Sequence, residues 1–338
     1  MMPRSSPHLP VKARVSKVML KVCLALLPGI AAATWYFGWG VFSNLAIACA
    51  STLSAEALLL AWRRRPLRPF LLDGSALVTG LLLGLSLPPY APWWLLVFGG
   101  GFAMVFGKHL YGGLGYNPFN PAMLGYVVLL IAFPIAMSTW VDALATPDHD
   151  RLAAYVSAQA GPESLDGLTA ATPLDHVKTE LGREFTLTEA YAGMAGGWLA
   201  GHAWDTINLM YALGGLALLF LGVIRWQIPA GFLAGLGVMA ALFWLVDADQ
   251  HPGLVHHWFG GAAMLGAFFI ATDPVSASTT PRGRLIFGLG IGVLVYLIRS
   301  FGGYPDAVAF AVLLMNIGVP LIDQYTPTRT YGTDSPRR

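Results

Sequence analysis

Long apolar runs recur along this chain, and their length constrains the fold more than any other feature of the sequence. Runs of about 17–22 residues match the length that a helix needs to cross the hydrocarbon core of a bilayer. The chain has 338 residues, 56% hydrophobic and 11% charged, whereas soluble domains have about 25% charged residues. The sequence therefore predicts an all-α polytopic membrane protein. The ten predicted spans are 18–37, 40–61, 74–89, 91–107, 122–138, 206–224, 228–247, 257–273, 285–299 and 307–323.

The distribution of Lys and Arg predicts the orientation of these spans. Short cytoplasmic segments collect basic residues. The segments that connect the spans alternate between the two sides of the membrane, and those on one side carry fifteen of the twenty basic residues. Both termini are therefore predicted to be cytoplasmic. Lys17 and the apolar run that follows it also resemble a cleavable signal peptide, whose removal would leave the remaining topology unchanged. Because the basic residues serve to orient spans and do not form a patch, the net charge of +2 gives no indication of a nucleic-acid partner. The expected surroundings are a lipid bilayer, and no nucleic acid is expected as partner. The fifteen residues are Arg4, Lys12, Arg14, Lys17, Arg63, Arg64, Arg65, Arg68, Lys108, Arg225, Arg282, Arg284, Arg329, Arg337 and Arg338.

One long polar stretch, at 139–205, divides the ten spans into five and five. It carries ten of the eighteen acidic residues and provides the room for an outer-face subdomain. Segments 148–158 and 173–182 within it are predicted to be short helices. The predicted organisation is a membrane half at 1–138, the loop at 139–205, a second membrane half at 206–323 and a tail at 324–338.

Five spans in each half would make the second half an inverted repeat of the first. Two landmarks support this prediction. Pro88 ends span three and Pro274 ends span eight, 186 residues later, while Tyr116 and Tyr304 precede spans five and ten at a distance of 188 residues. Chance is the alternative, since Gly and Pro are abundant in this chain. Broken helix ends of this kind are expected to meet around a cavity or a bound group.

The most informative polar motif is the sequence DGLTAATPLD at 166–175. It predicts a helix start with Thr172 as N-cap, Pro173 at the first helical position and Asp175 at the third. The same geometry suits a phosphate, because free N–H groups and the helix dipole favour an anion. A purely structural cap and a phosphate site both remain open from spacing alone.

Ionisable residues inside spans are candidates for function. Glu56 lies in span two and Lys21 in span one, so a structural ion pair between them is one interpretation and a cation or proton role for Glu56 is the other. Asp273, at the end of span eight, is a second candidate for an ion pathway. His256 and His257 are predicted to be a solvated pair at the outer interface, in preference to a metal site.

Four longer strings resemble a known family. They are GKHLYGGLGYNPFNPA at 107–122, IRWQIP at 224–229, ATDPVSASTT at 271–280 and IRSFGGYPD at 298–306. The chain resembles the RnfD (or RsxD) family, whose members belong to the Rnf ion-translocating electron-transport complex. It is more distantly similar to the NqrB component of sodium-pumping NADH:quinone reductase. The similarity extends over essentially the whole chain.

The resemblance implies a covalent FMN, joined through its phosphate to the hydroxyl of Thr172 by a flavin transferase. Asp166, Thr169 and Ala171 match the sequence that this enzyme recognises, while position 170 is Ala where Gly is commoner. The family also implies a second, non-covalent flavin, riboflavin, for which Asn117 and Asn120 are candidate contacts.

The same resemblance implies a bacterial inner-membrane location with 139–205 in the periplasm. The protein would relay electrons together with the A, B, C, E and G components of the Rnf complex, coupled to Na⁺ or H⁺ translocation. The chain lacks a dinucleotide fingerprint and a cysteine cluster, so NADH oxidation and iron–sulfur chemistry would belong to the partners. The rival hypothesis is a small-solute channel or carrier, because inverted repeats with broken helices suit permeation equally well.

Overall fold

The computed structural model describes residues 15–143, 149–192, 194, 202–304 and 306–328. The predictions for both termini and for much of the loop between 193 and 201 concern residues outside these ranges. Within the ranges the chain is helical, and its β-structure consists of one isolated antiparallel bridge between Val141 and Thr169. Two stretches are π-helical, Ala103–His109 and Gly266–Ile270, and Pro162–Leu165 forms a 3₁₀ turn.

The α-helices follow in chain order, and their bounds are α1 (Val15–Phe37), α2 (Trp39–Trp62), α3 (Leu67–Leu71), α4 (Ser75–Ser86), α5 (Trp93–Phe102), α6 (Pro121–Ala132), α7 (Pro134–Ser138), α8 (His149–Val156), α9 (Pro173–Gly182), α10 (Leu187–Ala192), α11 (His202–Phe220), α12 (Gln227–Val246), α13 (Leu254–Phe259), α14 (Ala263–Leu265), α15 (Pro281–Phe301) and α16 (Val308–Tyr325).

Six helices of the described chain are long and apolar enough to cross a membrane. They are α1, α2, α11, α12, α15 and α16, and each coincides with a predicted span. Exposed tryptophans lie near their ends, among them Trp35, Trp39 and Trp62, as expected at the two interfaces of a bilayer. The protein is therefore a multi-pass membrane protein.

The predicted span at 91–107 continues from α5 into the π-helical stretch that ends at His109, and the other three predicted spans are shorter or interrupted. Helix α4 has twelve residues and stops before Pro88 and Pro89, and α6 ends just before Pro134. Proline cannot donate a backbone hydrogen bond and its ring clashes with the preceding turn. The predicted span at 257–273 is divided into α13, α14 and a π-helical stretch by Gly260 and Gly261, of which Gly261 has a φ of +56°.

Small residues allow the membrane helices to pack closely. Helices α12 and α15 face each other with two Gly-x-x-x-Gly pairs, Gly231 with Gly235 and Gly288 with Gly292. A Cβ atom at Gly292 would overlap the carbonyl oxygen of Phe232, so the backbones are in direct contact. Such contacts replace the hydrophobic driving force that lipid does not supply between helices. Helices α1 and α11 join the two halves in the same way, because a Cβ atom at Gly214 would overlap the oxygen of Ala25.

The outer segment between α7 and α11 has a small hydrophobic core of its own. Val141, Leu152, Tyr155 and Leu165 are buried in it, with Tyr90 of the membrane half packed against them. The predicted helix at 173–182 is confirmed with the same bounds as α9, and the helix predicted at 148–158 is present over His149–Val156.

We expect Gly292→Ala to destabilise the bundle by about 1–3 kcal/mol, because the added methyl group forces two backbones apart. Gly101→Ala is the matched control, since the same methyl group would meet nothing within 4 Å and Ala favours a helix over Gly. The midpoint of thermal aggregation in detergent should fall for the first variant only. Equal midpoints for the two variants would contradict the packing described for α12 and α15.

Candidate functional site: a cavity below Thr172

Thr172 is the N-cap of α9, as the sequence predicts. Its side-chain oxygen accepts a hydrogen bond from the backbone N–H of Asp175 at 3.3 Å, and Pro173 occupies the first helical position. The side chain is half-buried, whereas Asp166, Thr169 and Ala171 are exposed. The hydroxyl therefore sits at a helix N-terminus, where an anion is favoured, next to an accessible strip of backbone.

The segment before Thr172 is held extended against residues 140–142. Asp142 donates its backbone N–H to Leu168 at 2.9 Å, and Ala170 donates to Trp140 at 3.0 Å. Four non-glycine residues of the described chain have positive φ, and Ala170 is not one of them. An alanine at position 170, where the family commonly has Gly, is therefore unstrained.

Thr172 lies on the wall of a cavity of about 450 Å³ between the two membrane halves. This volume falls within the roughly 300–1,000 Å³ typical of small-molecule sites. We call it the outer cavity. Its lining includes Phe37, Ser86, Leu87, Pro89, Met123, Tyr126, Trp140, Thr172, Trp204, Tyr211, Gly261, Ile270, Tyr304 and Asp306.

Aromatic side chains dominate one wall of the outer cavity. Phe37 of α1 and Trp204 of α11 meet with ring centroids 5.8 Å apart, and Trp140 lies 5.3 Å from Trp204. Flat aromatic walls suit a planar ring system, which packs against them in stacked or edge-to-face geometry. The outer cavity thus fits an isoalloxazine ring in both volume and lining. Sequence reasoning missed these aromatic residues, because Trp140 and Trp204 lie 64 residues apart and only the fold brings them together.

Helix α9 is anchored to the second membrane half beside the outer cavity. Leu174 is buried and occupies the space next to Gly260 and Gly261. The ammonium group of Lys178 donates to the carbonyl oxygens of Gly302 and Tyr304, and burial lowers the pKa of this lysine. These contacts position Thr172 above the cavity.

A buried ion pair stabilises the loop to which α9 is anchored. The guanidinium of Arg299 lies 3.0 Å from Asp306 Oδ1 and also donates to the carbonyl oxygens of His257 and Gly260. Asp306 in turn accepts hydrogen bonds from the N–H groups of Ala307 and Ala262. Because the carboxylate and the guanidinium are both fully hydrogen-bonded, the ion pair holds the loop in one position.

Asn117 and Asn120 line a second, smaller cavity of about 100 Å³, which we call the inner cavity. Asn120 Nδ2 donates to the oxygen of Ile270 at 3.1 Å, and its Oδ1 caps α6. Asn117 Nδ2 donates to Phe119, while its Oδ1 is buried without a partner. The volume is well below the roughly 300 Å³ of the smallest usual ligand sites. The inner cavity therefore does not fit a riboflavin ring in this arrangement.

The broken ends of spans three and eight are predicted to meet around one cavity, but they line different cavities. Residues 86–89 line the outer cavity, while Asp273 and its neighbours line the inner cavity. Asp273 is half-buried and accepts hydrogen bonds from Ser276 Oγ at 2.7 Å and from Val275 N at 3.3 Å. Both of its carboxylate oxygens therefore already accept a hydrogen bond from the turn that follows.

The expected ion pair between Glu56 and Lys21 is wrong. Glu56 is almost fully buried, and its partner is Lys108, whose ammonium group donates to Glu56 Oε1. Lys108 also lines the inner cavity and is not the solvated topological residue that the charge pattern predicts. The cause is the π-helical stretch at 103–109, in which a wider turn brings two successive residues, Lys108 and His109, toward the interior.

The prediction of a solvated histidine pair is also wrong. His256 and His257 are each 4% exposed, because α13 packs against α12 and α11. The ring of His257 lies 5.0 Å from that of Tyr296. Among the residues that the structure describes, no group of three or more potential ligands is placed to hold a metal ion.

Known proteins resemble this sequence over nearly the whole chain. Residues 2–332 match the profile of the NQR2, RnfD, RnfE family. The chain is 51% identical to the D component of the ion-translocating oxidoreductase complex of Aeromonas salmonicida (strain A449), over 97% of both chains. It is 52% identical to the protein of that name from Salmonella paratyphi B (strain ATCC BAA-1250 / SPB7), again over 97% of both. The extent of these matches establishes that the chain belongs to the NQR2, RnfD, RnfE family.

Proposed function

We propose that this protein is the RnfD component of an Rnf-type ion-translocating oxidoreductase complex in the bacterial inner membrane, and that it carries FMN covalently on Thr172. The observation that carries the proposal is the position of the Thr172 hydroxyl, at a helix N-terminus on the wall of an aromatic-lined cavity of about 450 Å³. The names of the relatives support the complex, and the geometry supports the flavin.

Thr172 Oγ1 would form the phosphoester bond to the FMN phosphate. The exposed residues Asp166, Thr169 and Ala171 leave the strip before Thr172 open to a flavin transferase. The N-terminus of α9 would stabilise the negative charge of the phosphate. Trp140 and Trp204 would orient the ring and exclude water from one of its faces. When bound, FMN supplies the redox chemistry that the side chains lack.

The protein would relay electrons between its partners, the A, B, C, E and G components of the complex. The described cysteines, Cys23 and Cys49, are free and half-buried, and two thiols cannot hold an iron–sulfur cluster by themselves. Oxidation of NADH and transfer through clusters are therefore assigned to the partners. Coupling to cation movement would use buried charge in the membrane part, where Glu56 and Asp273 remain candidates.

Two observations support inverted five-helix repeats as the framework. Asn120 and Asp306 lie 186 residues apart, and each accepts hydrogen bonds from N–H groups at the start of the last span of its half. The lining of the outer cavity combines Ser86, Leu87 and Pro89 with Gly303, Tyr304 and Asp306, and that of the inner cavity combines Asn117, Asn120 and Pro121 with Thr272, Asp273 and Pro274. A two-fold axis in the membrane plane would exchange these two combinations.

The orientation of the protein in the membrane is a separate part of the proposal. We propose that both termini are cytoplasmic and that 139–205 is periplasmic, because the basic residues collect on the side of the termini.

A channel or carrier would use the outer cavity for a passing solute, and it would have no use for an acceptor hydroxyl at its wall. Covalent flavin therefore separates the two functions.

Substitutions of Thr172 test the attachment. Co-expressed with its flavin transferase, the wild-type band should fluoresce yellow on a denaturing gel. Thr172→Asn should lose the fluorescence while retaining the helix cap, since Asn is a good N-cap residue. Thr172→Ala should lose it too and cost about 1 kcal/mol through the missing cap. Thr179→Ala, an exposed threonine on the same helix, is the control and should fluoresce like wild type. Fluorescence in Thr172→Asn, or none in wild type, would refute the assignment.

The place of the ring is tested at Trp204. We expect Trp204→Leu to keep the covalent flavin but to shift its visible absorption and raise its quenching by iodide, because a wall of the outer cavity is lost. Loss of an aromatic contact worth about 0.5–1.5 kcal/mol should also make the flavin environment less ordered. Trp35→Leu is the control, since Trp35 is 78% exposed on the lipid side. Identical spectra and quenching in the two variants would show that the ring lies elsewhere.

A further inference from the structure

A second cluster of buried ionisable groups lies at the end of the bundle opposite Thr172, and the flavin site does not use it. Glu56 of α2 is 1% exposed, Lys108 2% and His109 4%. Ser75 begins α4 beside them, and Asp73 precedes it in the turn from α3. The cluster combines two acids, two bases and a hydroxyl inside a membrane protein, where each buried charge is costly.

The groups form one continuous hydrogen-bonded chain. Lys108 Nζ donates to Glu56 Oε1 and, at 2.7 Å, to Ser75 Oγ. Ser75 Oγ donates in turn to Asp73 Oδ1 at 2.5 Å. Asp73 is half-buried, whereas the other three are buried. The series of hydrogen bonds therefore leads from the predicted cytoplasmic surface to a carboxylate in the interior. Its two carboxylates accept, its ammonium group donates and its hydroxyl does both.

The inner end of this series of hydrogen bonds has polar atoms that are not hydrogen-bonded. Glu56 Oε2 and His109 Nε2 are both buried without a hydrogen-bond partner, and His109 Nε2 lies 3.6 Å from Glu56 Oε1. A buried ion pair that serves structure alone is stabilised when its remaining atoms are satisfied, as they are at Arg299 and Asp306. Here a carboxylate oxygen and an imidazole nitrogen are both left without a partner in the interior, where an added proton would be held.

The charge and the ligand set favour a proton over a metal cation. Lys108 already places a positive charge on Glu56 and on Ser75, so a sodium ion there would face like charge at contact distance in a medium of low dielectric constant. Hard cations are usually held by several oxygen ligands, whereas the Lys108 contacts in the cluster supply one carboxylate and one hydroxyl oxygen.

Lys108 connects the chain to the centre of the membrane part. It lines the inner cavity opposite Asn117 and Asp273. Asn120, in the same lining, bonds the carbonyl of Ile270, which lines the outer cavity. The charged or titratable groups that face Lys108 are thus Glu56 from α2, Asp73 through Ser75, His109 from its own segment and Asp273 across the cavity.

We propose that Asp73, Ser75, Lys108 and Glu56 form a proton path from the cytoplasmic surface to the buried Glu56, along the wall of the inner cavity that Ser75 and Lys108 line, so that this protein takes up H⁺ and not Na⁺ at this point. The proposal rests on the proposed function as a component of an ion-translocating complex. Water first protonates the Asp73 carboxylate, and Lys108 then gives one proton to Glu56. In one concerted shift the hydroxyl hydrogen of Ser75 passes to the neutral Lys108 amine while Ser75 receives the proton of Asp73, so that Asp73, Ser75 and Lys108 return to their starting states. One proton moves inward, only O–H and N–H bonds change, and Glu56 or His109 holds the proton.

Substitutions at Ser75 break this path without removing a charge. The whole complex, reconstituted in liposomes, should show substrate-driven proton movement by an internal pH dye. Ser75→Ala should slow it about tenfold, equivalent to about 1.4 kcal/mol in the barrier, while Ser75→Thr keeps the hydroxyl and should stay close to wild type. Thr79→Val is the matched control, because Thr79 is a buried hydroxyl one turn along α4 that lines the same cavity and lies outside the chain. Ser75→Ala moving protons as fast as Thr79→Val overturns the proposal, and so does ²²Na⁺ uptake that Ser75→Ala leaves unchanged in the presence of a protonophore.

A second measurement does not require turnover. Infrared difference spectra of the intact complex between acidic and alkaline buffer should contain a carboxylic acid band that Glu56→Gln removes. Absence of that band overturns the proposal. Gel fluorescence of the Thr172 flavin in the same preparations separates the two hypotheses: its loss in wild type counts against the flavin assignment, whereas the Ser75 and Glu56 results decide the proton path.

Discussion

The site depends on one physical constraint: in hydrocarbon, a backbone group that leaves the helical ladder must find its partner inside the protein. Buried asparagine amides supply those partners where helices break. Asn44 donates to the oxygen of Pro88 at 2.7 Å, Asn208 to the oxygens of Phe259 and Gly261, and Asn120 to that of Ile270. Because these bonds replace water, helices can end within the membrane part and leave room for the two cavities.

The buried charges are arranged by the same logic, with different outcomes at the two ends. At the outer end, Arg299 is neutralised by Asp306 and its other donors are taken by carbonyl oxygens, so the loop that anchors α9 is rigid. At the opposite end, Lys108 neutralises Glu56 while Glu56 Oε2 and His109 Nε2 stay open. A satisfied pair holds the loop that anchors α9 and Thr172 in place, and an incompletely satisfied one offers a place for a proton.

Much of the local structure was predictable from the sequence. The N-cap at Thr172 and the start of α9 follow from Thr-Pro-x-Asp, because a helix start depends on residues that are close in the chain. The six long helices follow from apolar runs alone. The interruptions near Pro88, Pro134 and Gly260 were harder to place, since proline and glycine occur in membrane helices for several reasons. The apolar pattern therefore predicts ten spans without indicating which of them are interrupted.

The sequence by itself determined the membrane class, the long helices and the cap at Thr172, since each arises from composition or from neighbouring residues. Tertiary structure alone decided the outer cavity, which needs Trp140 and Trp204 side by side. It also replaced Lys21 with Lys108 as the partner of Glu56 and buried the pair His256 and His257. The physical reason is that a partner for a buried charge or ring is chosen by distance in space, and contacts between helices set that distance.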